Sequence, residues 1–294
     1  KTNIIWVIGG DRNPRNESDI AVWRAMALGI ADGVGGHDKA LMTFHPQPNA
    51  VEDGGSSKWF HHDEWLDFNM FQTGHCRENN VWERIDVAYR KSPVKPVLDG
   101  ETIYEDHPVC FNAKDLGYSS AYDIRKHAYF NVFAGAFGQT YGCHDIWQMY
   151  APHREPVNGP LNYWYVALDL PGASQMQHLR NLMESRPMLE RVPDQSIIND
   201  ARGTSDHIQA TRGNHYLFVY SAQGKSFSVD PTKISGSGFV AWWYNPRTGE
   251  AKEAGKFNDR TVREFTPPSQ GYGHDWVLVL DDAAAKYAPP GQAN

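Results

Sequence analysis

The chain has 294 residues, of which 40% are hydrophobic and 21% charged, and this balance excludes a mainly disordered protein. Its 28 Lys and Arg residues against 35 Asp and Glu residues give a formal net charge of −7, and without any basic block this argues against a nucleic-acid partner. No apolar stretch approaches the ~20 residues that a membrane-spanning helix requires. The chain is rich in aromatic rings, with 10 Trp, 14 Tyr and 13 Phe, and such flat apolar faces suit a ligand such as a sugar.

An apolar run at residues 4–8, IIWVI, opens the chain almost at once. A run without polar alternation predicts a strand that is buried on both faces, as in a parallel sheet. Because such an interior strand is an unusual start for a domain, we expect the chain to be a fragment or a processed piece.

Residues 1–190 alternate strand-like runs with helical patterns. The predicted strands are residues 4–8, 41–44, 68–72, 96–101 and 139–143. Apolar residues at helical spacing predict helices that begin near Ser18 or Asp19, near Val81 and near Ala121, followed by helices at 161–168 and 174–184. Repeats of strand, polar loop and helix indicate an α/β fold with a parallel sheet.

Residues 191–294 have a different pattern. Short strand-like runs occur at residues 215–221, 239–244, 263–266 and 276–280, and residues 245–249 carry a turn signal. No helical pattern is present before the tail. We therefore predict a second, all-β domain at residues 191–294, most simply a β-sandwich.

Polar or ionisable side chains follow the end of each strand predicted in the first domain. They are Asp11 with Arg12, His45, His75, Glu101, and His144 with Asp145. Because ligands of parallel α/β sheets lie at the carboxyl ends of the strands, we expect these groups to line one polar pocket.

Asp11 and Glu101 are the two carboxylates that such a pocket would use for catalysis. A retaining glycosidase needs two carboxyl groups, one as general acid/base and one as nucleophile. Each also has a structural interpretation, since Asp11 could cap the turn at residues 13–14 or pair with Arg12, and Glu101 could serve in an ion pair. Glu105 is the rival nucleophile in the same segment.

The histidines raise the possibility of a metal site, which the spacing does not favour. Residues 61–64 (HHDE) lack a His-Glu-x-x-His pattern, so we predict no metal and no cofactor. The histidines at the strand ends and in the neighbouring loop are instead predicted to hydrogen-bond sugar hydroxyls or each other: His45, His75, His107 and His144. Three cysteines, Cys76, Cys110 and Cys143, are too few for a disulfide framework, and we interpret them as buried thiols.

A run of motifs in this order resembles the apiosidase-like glycoside hydrolases of family 140 and their relatives. The motifs are residues 6–12 (WVIGGDR), 41–46 (LMTFHP), 65–70 (WLDFNM), 72–75 (QTGH), 95–101 (KPVLDGE), 104–108 (YEDHP), 123–126 (DIRK), 133–136 (FAGA) and 140–142 (TYG). Residues 243–249 (WYNPRTG) and 275–280 (DWVLVL) resemble the β-sandwich named as a collagen-binding domain.

The resemblance implies a (β/α)8 barrel with an acid/base Asp after strand four and a nucleophilic Glu after strand seven. Asp11 matches the first position and Glu101 the second, so the predicted strands become strands four to eight of the barrel. Strands one to three are absent, and the expected fold is therefore a partial barrel followed by a β-sandwich. A second chain could supply the missing strands.

Two functions are compatible with these patterns. The first is a retaining glycoside hydrolase that acts on plant or microbial polysaccharide, in which Arg12, Tyr104, Glu105 and the histidines bind substrate and apiose or another furanose is released. The second is a non-catalytic carbohydrate-binding or surface-attachment module. In both cases the partner is an oligosaccharide or polysaccharide, and we expect a secreted or periplasmic protein.

Overall fold

The computed structural model describes residues 3–198, 203 and 206–292. They form two compact units. Unit 1 comprises Lys1–Gly74, Asn80–Thr102 and Ala136–Thr140, and unit 2 comprises His75–Asn79, Ile103–Gly135 and Tyr141–Asn294. The domain boundary after residue 190 stays a prediction.

Thirteen strands, eight α-helices and several short 3₁₀ helices form the regular structure of the described residues. The strands are β1 Ile5–Gly9, β2 Leu41–His45, β3 Asn69–Gln72, β4 Val97–Glu101, β5 Gly138–Gln139, β6 Val192–Pro193, β7 Ile208–Arg212, β8 Tyr216–Ser221, β9 Phe227–Val229, β10 Phe239–Tyr244, β11 Ala251–Phe257, β12 Arg263–Phe265 and β13 Trp276–Asp282. The helices are α1 Glu17–Val34, α2 Ser57–Phe60, α3 Val81–Tyr89, α4 Ala113–Leu116, α5 Ala121–Phe133, α6 His144–Trp147, α7 Trp164–Ala167 and α8 Pro171–Glu184.

Unit 1 contains β1 to β5, and all of their pairings are parallel. β1 pairs with β2, and β3, β4 and β5 form a three-stranded sheet in that order. β2 runs beside the lead-in to β3, where the Asp67 N–H donates to the Met42 carbonyl at 2.9 Å and the Thr43 hydroxyl donates to the Phe68 carbonyl at 2.7 Å. The strands therefore follow one another in chain order, and the predicted α/β organisation is confirmed.

Helix α1 covers one face of β1 and β2. Asn16 caps it by accepting the Asp19 N–H at 3.0 Å, so the helix begins slightly before the predicted caps at Ser18 and Asp19. Buried residues of this layer form one apolar core: Ile8, Ala27, Ala31, Ala40, Met42, Phe44, Phe60, Trp65 and Leu66. Side chains alternate between the faces of a strand, so Ile5 and Val7 project from the other face, where they are 57% and 50% exposed.

Unit 2 contains a six-stranded antiparallel sheet in the order β11-β10-β13-β8-β7-β6 and a two-stranded sheet of β9 and β12. One apolar core joins the two sheets, and its members include Leu217, Phe227, Phe239, Trp243 and Leu278. Inward residues alternate with outward ones along β10, as expected of strands that pack face to face. A C-terminal sheet domain is confirmed. Trp243 belongs to its core.

The other face of the six-stranded sheet packs against α5. The rings of Tyr129 and Tyr220 stack with centroids 4.8 Å apart, and those of Phe133 and Phe218 stack at 5.8 Å. All four side chains are fully buried. β8 is therefore buried on both faces, and α5 contributes to the hydrophobic core on one side of the sheet.

The structure differs from the predicted elements around residues 139–168. The fifth strand covers only Gly138–Gln139 instead of 139–143, and His144 begins α6 instead of following a strand end. The helix predicted at 161–168 is limited to Trp164–Ala167. These short apolar runs have too few residues for either a two-residue or a 3.6-residue period to be decisive, so tertiary packing determines where the elements begin and end.

The interpretation of all three cysteines as thiols was wrong for two of them. Cys76 and Cys110 form a disulfide with their Cα atoms 4.5 Å apart, whereas Cys143 is a free, buried thiol. Cys76 and Cys110 are 34 residues apart in the chain, and only the fold of unit 2 brings them together.

Candidate active site

The end of β1 is shaped by two consecutive glycines with positive φ. Gly9 has φ +89°, and a Cβ atom there would lie 2.8 Å from the His45 carbonyl oxygen, so only glycine fits this close approach. The Gly10 N–H donates to the same carbonyl at 3.2 Å. Asp11 follows with φ 54°, a left-handed conformation. The turn therefore places Asp11 directly beside the end of β2.

His45 connects Asp11 to Glu101. The Asp11 backbone N–H donates to His45 Nδ1 at 3.1 Å, and His45 Nε2 lies 3.2 Å from Glu101 Oε2. Because Nδ1 acts as an acceptor, the proton of a neutral imidazole must sit on Nε2, the nitrogen that faces the Glu101 carboxylate. A single histidine ring thus links the backbone of one predicted catalytic residue to the carboxylate of the other.

A bulge in β4 decides which way Glu101 projects. Phe71 is in register with Asp99, but Gln72 is in register with Glu101, so Gly100 is the extra residue of the bulge. If β4 were regular, Glu101 would project from the face opposite to that of Gln72, since side chains alternate along a strand. The bulge therefore turns Glu101 to the same face as Gln72.

The Asp11 side chain is exposed and makes no hydrogen bond or ion pair with any residue of the described part of the chain. The same holds for Arg12, so the alternative pairing of Asp11 with Arg12 is not observed. Both line a cavity of about 690 Å³ in unit 1, together with Trp23 and Gln47. A substrate could reach both side chains from this cavity.

In unit 2, aromatic and histidine rings form a continuous row. The centroids of His75 and His107 are 4.1 Å apart and stacked, Tyr104 lies 4.6 Å from His75, and His144 lies 4.5 Å from His107. Sequence analysis grouped His75 and His144 with Asp11, His45 and Glu101, whereas the structure places these two histidines in unit 2.

The tautomers of two histidines follow from their partners. His107 Nδ1 lies 2.7 Å from the Pro108 carbonyl and therefore carries a proton. The Trp147 indole N–H donates to His144 Nδ1 at 3.1 Å, so the His144 proton sits on Nε2, which faces the Val157 carbonyl at 3.0 Å. Burial lowers the pKa of His144 and favours this neutral form. Sugar binding by these buried rings stays a prediction.

Glu105, the rival nucleophile, is only 2% exposed, and both of its oxygens accept hydrogen bonds. The Tyr141 hydroxyl donates to Oε2 at 2.8 Å, and the Gly172 N–H at the start of α8 donates to Oε1 at 3.1 Å. Burial raises the pKa of Glu105, although these two hydrogen bonds act in the opposite direction. An enclosed carboxyl with committed oxygens is a poorer nucleophile than Glu101.

Asp106 and Asp145 form a second pair of acidic groups in unit 2. Burial raises the pKa of both carboxyls, and the charge of Asp145 raises that of Asp106 further. Asn162 donates its side-chain N–H to Asp106 at 2.8 Å, and the Leu161 N–H donates to Asp145 at 2.9 Å. Two neighbouring buried carboxyls are most stable when they share a proton.

The Asp106–Asp145 pair should make stability depend on pH. A raised folded-state pKa stabilises the fold below about pH 4, the ordinary range of aspartate, and this contribution is lost as the pH rises through the raised pKa. Asp145→Asn removes one of the two ionisable carboxyls and its repulsion of Asp106, so its unfolding free energy should fall less above pH 4 than that of the wild type. Urea midpoints at several pH values test this, with exposed Asp169→Asn as the control. Equal pH dependence of wild type and Asp145→Asn would contradict the shared proton.

Gln72 was not among the predicted site residues, because His75 was chosen as the polar side chain that follows the third strand. It is the last residue of β3, in register with Glu101, and is 6% exposed. Its position two residues after the buried Met70 in an alternating strand is the signal that could have identified it.

No helix among the described residues is long and apolar enough to cross a membrane, and no group of three or more His, Cys, Asp or Glu side chains among them is arranged to hold a metal ion.

Two solved structures resemble the chain over almost its whole length. One is described as a glycoside hydrolase, with 40% identity, a TM-score of 0.87 and coverage of 96% of this chain and 65% of its own. The other is a glycoside hydrolase family 5 protein from Bacteroides vulgatus ATCC 8482, with 40% identity, a TM-score of 0.89 and coverage of 99% and 64%. The chain thus spans less than two thirds of the length of either protein.

Comparison with curated proteins finds no match. The profile of the family "Putative collagen-binding domain of a collagenase" matches residues 192–281. The profile of the family "Apiosidase-like, catalytic domain" matches residues 1–190, which is more than half of the chain. Together with the 40% identity to glycoside hydrolases, this match shows that the chain belongs to the apiosidase-like catalytic domain family.

Proposed function

We propose that the protein is a retaining glycoside hydrolase in which Glu101 is the nucleophile and Asp11 is the general acid/base. The observation that carries this proposal is the bridge from the Asp11 backbone through His45 to Glu101. It links the backbone of Asp11 to the carboxylate of Glu101 and so supports a site that uses both carboxyl groups, the number that retaining hydrolysis requires. Family membership supports the same chemistry.

The reaction proceeds in two steps. A Glu101 oxygen attacks the anomeric carbon while the bond to the leaving oxygen breaks, and Asp11 donates its proton to that oxygen. Asp11, now ionised, takes a proton from water, and the water oxygen displaces Glu101 from the anomeric carbon. His45 orients the Glu101 carboxylate through its Nε2–H. Arg12 is exposed beside Asp11 and positions the substrate.

The substrate is an oligosaccharide or polysaccharide of plant or microbial origin, and the released sugar is apiose or another furanose. Screening the full-length protein on aryl glycosides and pectic oligosaccharides tests this proposal, with NMR of the first product. We expect hydrolysis with retention of the anomeric configuration. Inversion would overturn the two-step mechanism, and binding without hydrolysis would favour a non-catalytic carbohydrate-binding module.

The five parallel strands β1 to β5 correspond in this proposal to strands four to eight of a (β/α)8 barrel. Exposed apolar side chains on one face of β1 and β2 support it, namely Ile5, Val7 and Leu41. That face would be the interior of a complete barrel. Polypeptide outside residues 1–294, from the same protein or a second chain, would supply the other strands.

The open edge of β1 should make the chain of residues 1–294 self-associate when it is produced alone. An exposed apolar edge strand pairs readily with another chain, and a lysine within it opposes this pairing. Val7→Lys should therefore increase the monomer fraction in sedimentation velocity. Leu189→Lys, at a fully exposed leucine of unit 2, is the matched control and should have no effect. A monodisperse monomer of the unmodified chain would contradict the open edge.

A secreted or periplasmic location is part of the proposal. The Cys76–Cys110 disulfide supports it, because disulfides persist in oxidising compartments and are rare in the cytosol.

A further inference from the structure

Gln72 has a place in unit 1 that the proposed reaction does not yet use. It ends β3, the strand between β2, which carries His45, and β4, which carries Glu101. Register partners project from the same face of a sheet, so Gln72 shares a face with Glu101. The amide thus lies on the candidate catalytic face of the sheet.

The Gln72 side chain is buried, and its carbonyl oxygen accepts no hydrogen bond from any described residue. A buried acceptor without a donor is destabilising, and folded proteins rarely retain one without a reason. Such a group at the end of a strand beside a catalytic carboxylate indicates that its donor belongs to a ligand.

The side-chain donors of His45, Thr43 and Thr73, on and beside these strands, already face other partners. His45 Nδ1 accepts the Asp11 N–H, and its Nε2 faces Glu101. The Thr73 hydroxyl donates to Asp99 at 2.6 Å, and the Thr43 hydroxyl donates to the Phe68 carbonyl at 2.7 Å. Each of these groups would have to break an existing hydrogen bond to reach Gln72.

We propose that the Gln72 amide oxygen accepts a hydrogen bond from one hydroxyl of the sugar bound at Glu101, and that Gln72 is a specificity-determining residue of the site. The proposal rests on the proposed glycosidase function. A sugar hydroxyl is the donor that the reaction itself brings to this face. A site built to hydrogen-bond a hydroxyl also discriminates strongly against analogues that lack it.

The test uses Gln72→Met in the full-length enzyme, since methionine has nearly the same shape and no amide. The substrates are the aryl glycoside that the wild type hydrolyses best and its monodeoxy analogues. We expect Gln72→Met to lower kcat/KM about tenfold on the parent glycoside and less than twofold on the one analogue that lacks the bound hydroxyl. Exposed Gln177→Met is the matched control and should leave all rates unchanged.

A loss of equal size on every analogue, or no loss on the parent glycoside, would overturn the proposal. Thermal unfolding without sugar gives a readout that does not need turnover. Gln72→Met should melt at the wild-type temperature or above, because it removes an unsatisfied buried acceptor. A clear decrease would mean that Gln72 has a structural partner, and would also overturn the proposal.

The role of Gln72 in sugar binding can be tested even if the protein is not a hydrolase. If the wild type hydrolyses no glycoside, calorimetry with the same sugars shows whether Gln72→Met still weakens their binding relative to the wild type. Weaker binding would retain the role of Gln72 without the hydrolase, and unchanged or absent binding would reject it.

Discussion

Glu101→Ala is expected to lower the hydrolysis of every glycoside by about 10⁴-fold or more, by analogy with the removal of other catalytic groups. Without this carboxylate no covalent bond to the anomeric carbon can form, so a better leaving group does not restore the rate. The measurement is kcat/KM of the full-length enzyme on aryl glycosides of graded leaving-group pKa.

The rate of Asp11→Ala should depend on the leaving group of the substrate, whereas the rate of Glu101→Ala should not. Substrates with good leaving groups need no proton donor, so the first step should stay measurable on them. Added azide should raise the turnover of Asp11→Ala, because a small anion can attack the glycosyl-enzyme intermediate without a general base. Azide should have no such effect on Glu101→Ala.

Glu105→Gln is the control for the choice of nucleophile. The enclosed Glu105 carboxyl accepts hydrogen bonds from Tyr141 and Gly172, and we expect its loss to affect stability more than the chemical step. An inactive Glu105→Gln together with an active Glu101→Ala would assign the nucleophile to Glu105 instead.

Asp275→Ala is expected to destabilise unit 2 by about 3–5 kcal/mol, because it leaves the fully buried Arg125 guanidinium without its counter-ion. Arg125 donates to both Asp275 oxygens, at 2.9 and 3.1 Å, and Tyr220 donates to the same carboxylate at 3.2 Å. Arg247 contacts it at 3.2 Å. The carboxylate therefore ties α5 and the loop before β13 together.

Urea unfolding measures this loss, and an exposed ion pair supplies the control. Arg180 and Glu184 pair at 2.8 Å on the surface of α8 with 75% and 56% of their side chains exposed, so Glu184→Ala should cost no more than about 1 kcal/mol. The double variant Arg125→Met with Asp275→Leu should recover part of the stability, since it leaves no unpaired buried charge. A loss below 1 kcal/mol for Asp275→Ala would contradict the buried network.

Local patterns in the chain were sufficient for the order of the parallel strands and for the all-antiparallel sheet that follows them. Hydrophobic periodicity over five to eighteen residues carries this information, since it records which face of an element is buried. The Gly9–Gly10 turn and the position of Glu101 at the end of β4 were also visible, because both depend on neighbours in the sequence.

Contacts between distant segments could not be predicted from local sequence patterns. The tautomer of His45 depends on Asp11, 34 residues away, and the direction of Glu101 depends on one bulge residue, Gly100. A shift of one residue moves every following side chain to the other face of the strand. The alternation of apolar and polar residues does not indicate where such a bulge occurs.

The disulfide and the packing of α5 on the C-terminal sheet have the same origin. Each joins residues that are tens of positions apart, and in each case many partners were compatible with the local pattern. Residue type and spacing therefore indicated which side chains could do the chemistry, whereas pairing register brought Gln72 to the face of Glu101 and packing brought His45 within 3.2 Å of the Glu101 carboxylate.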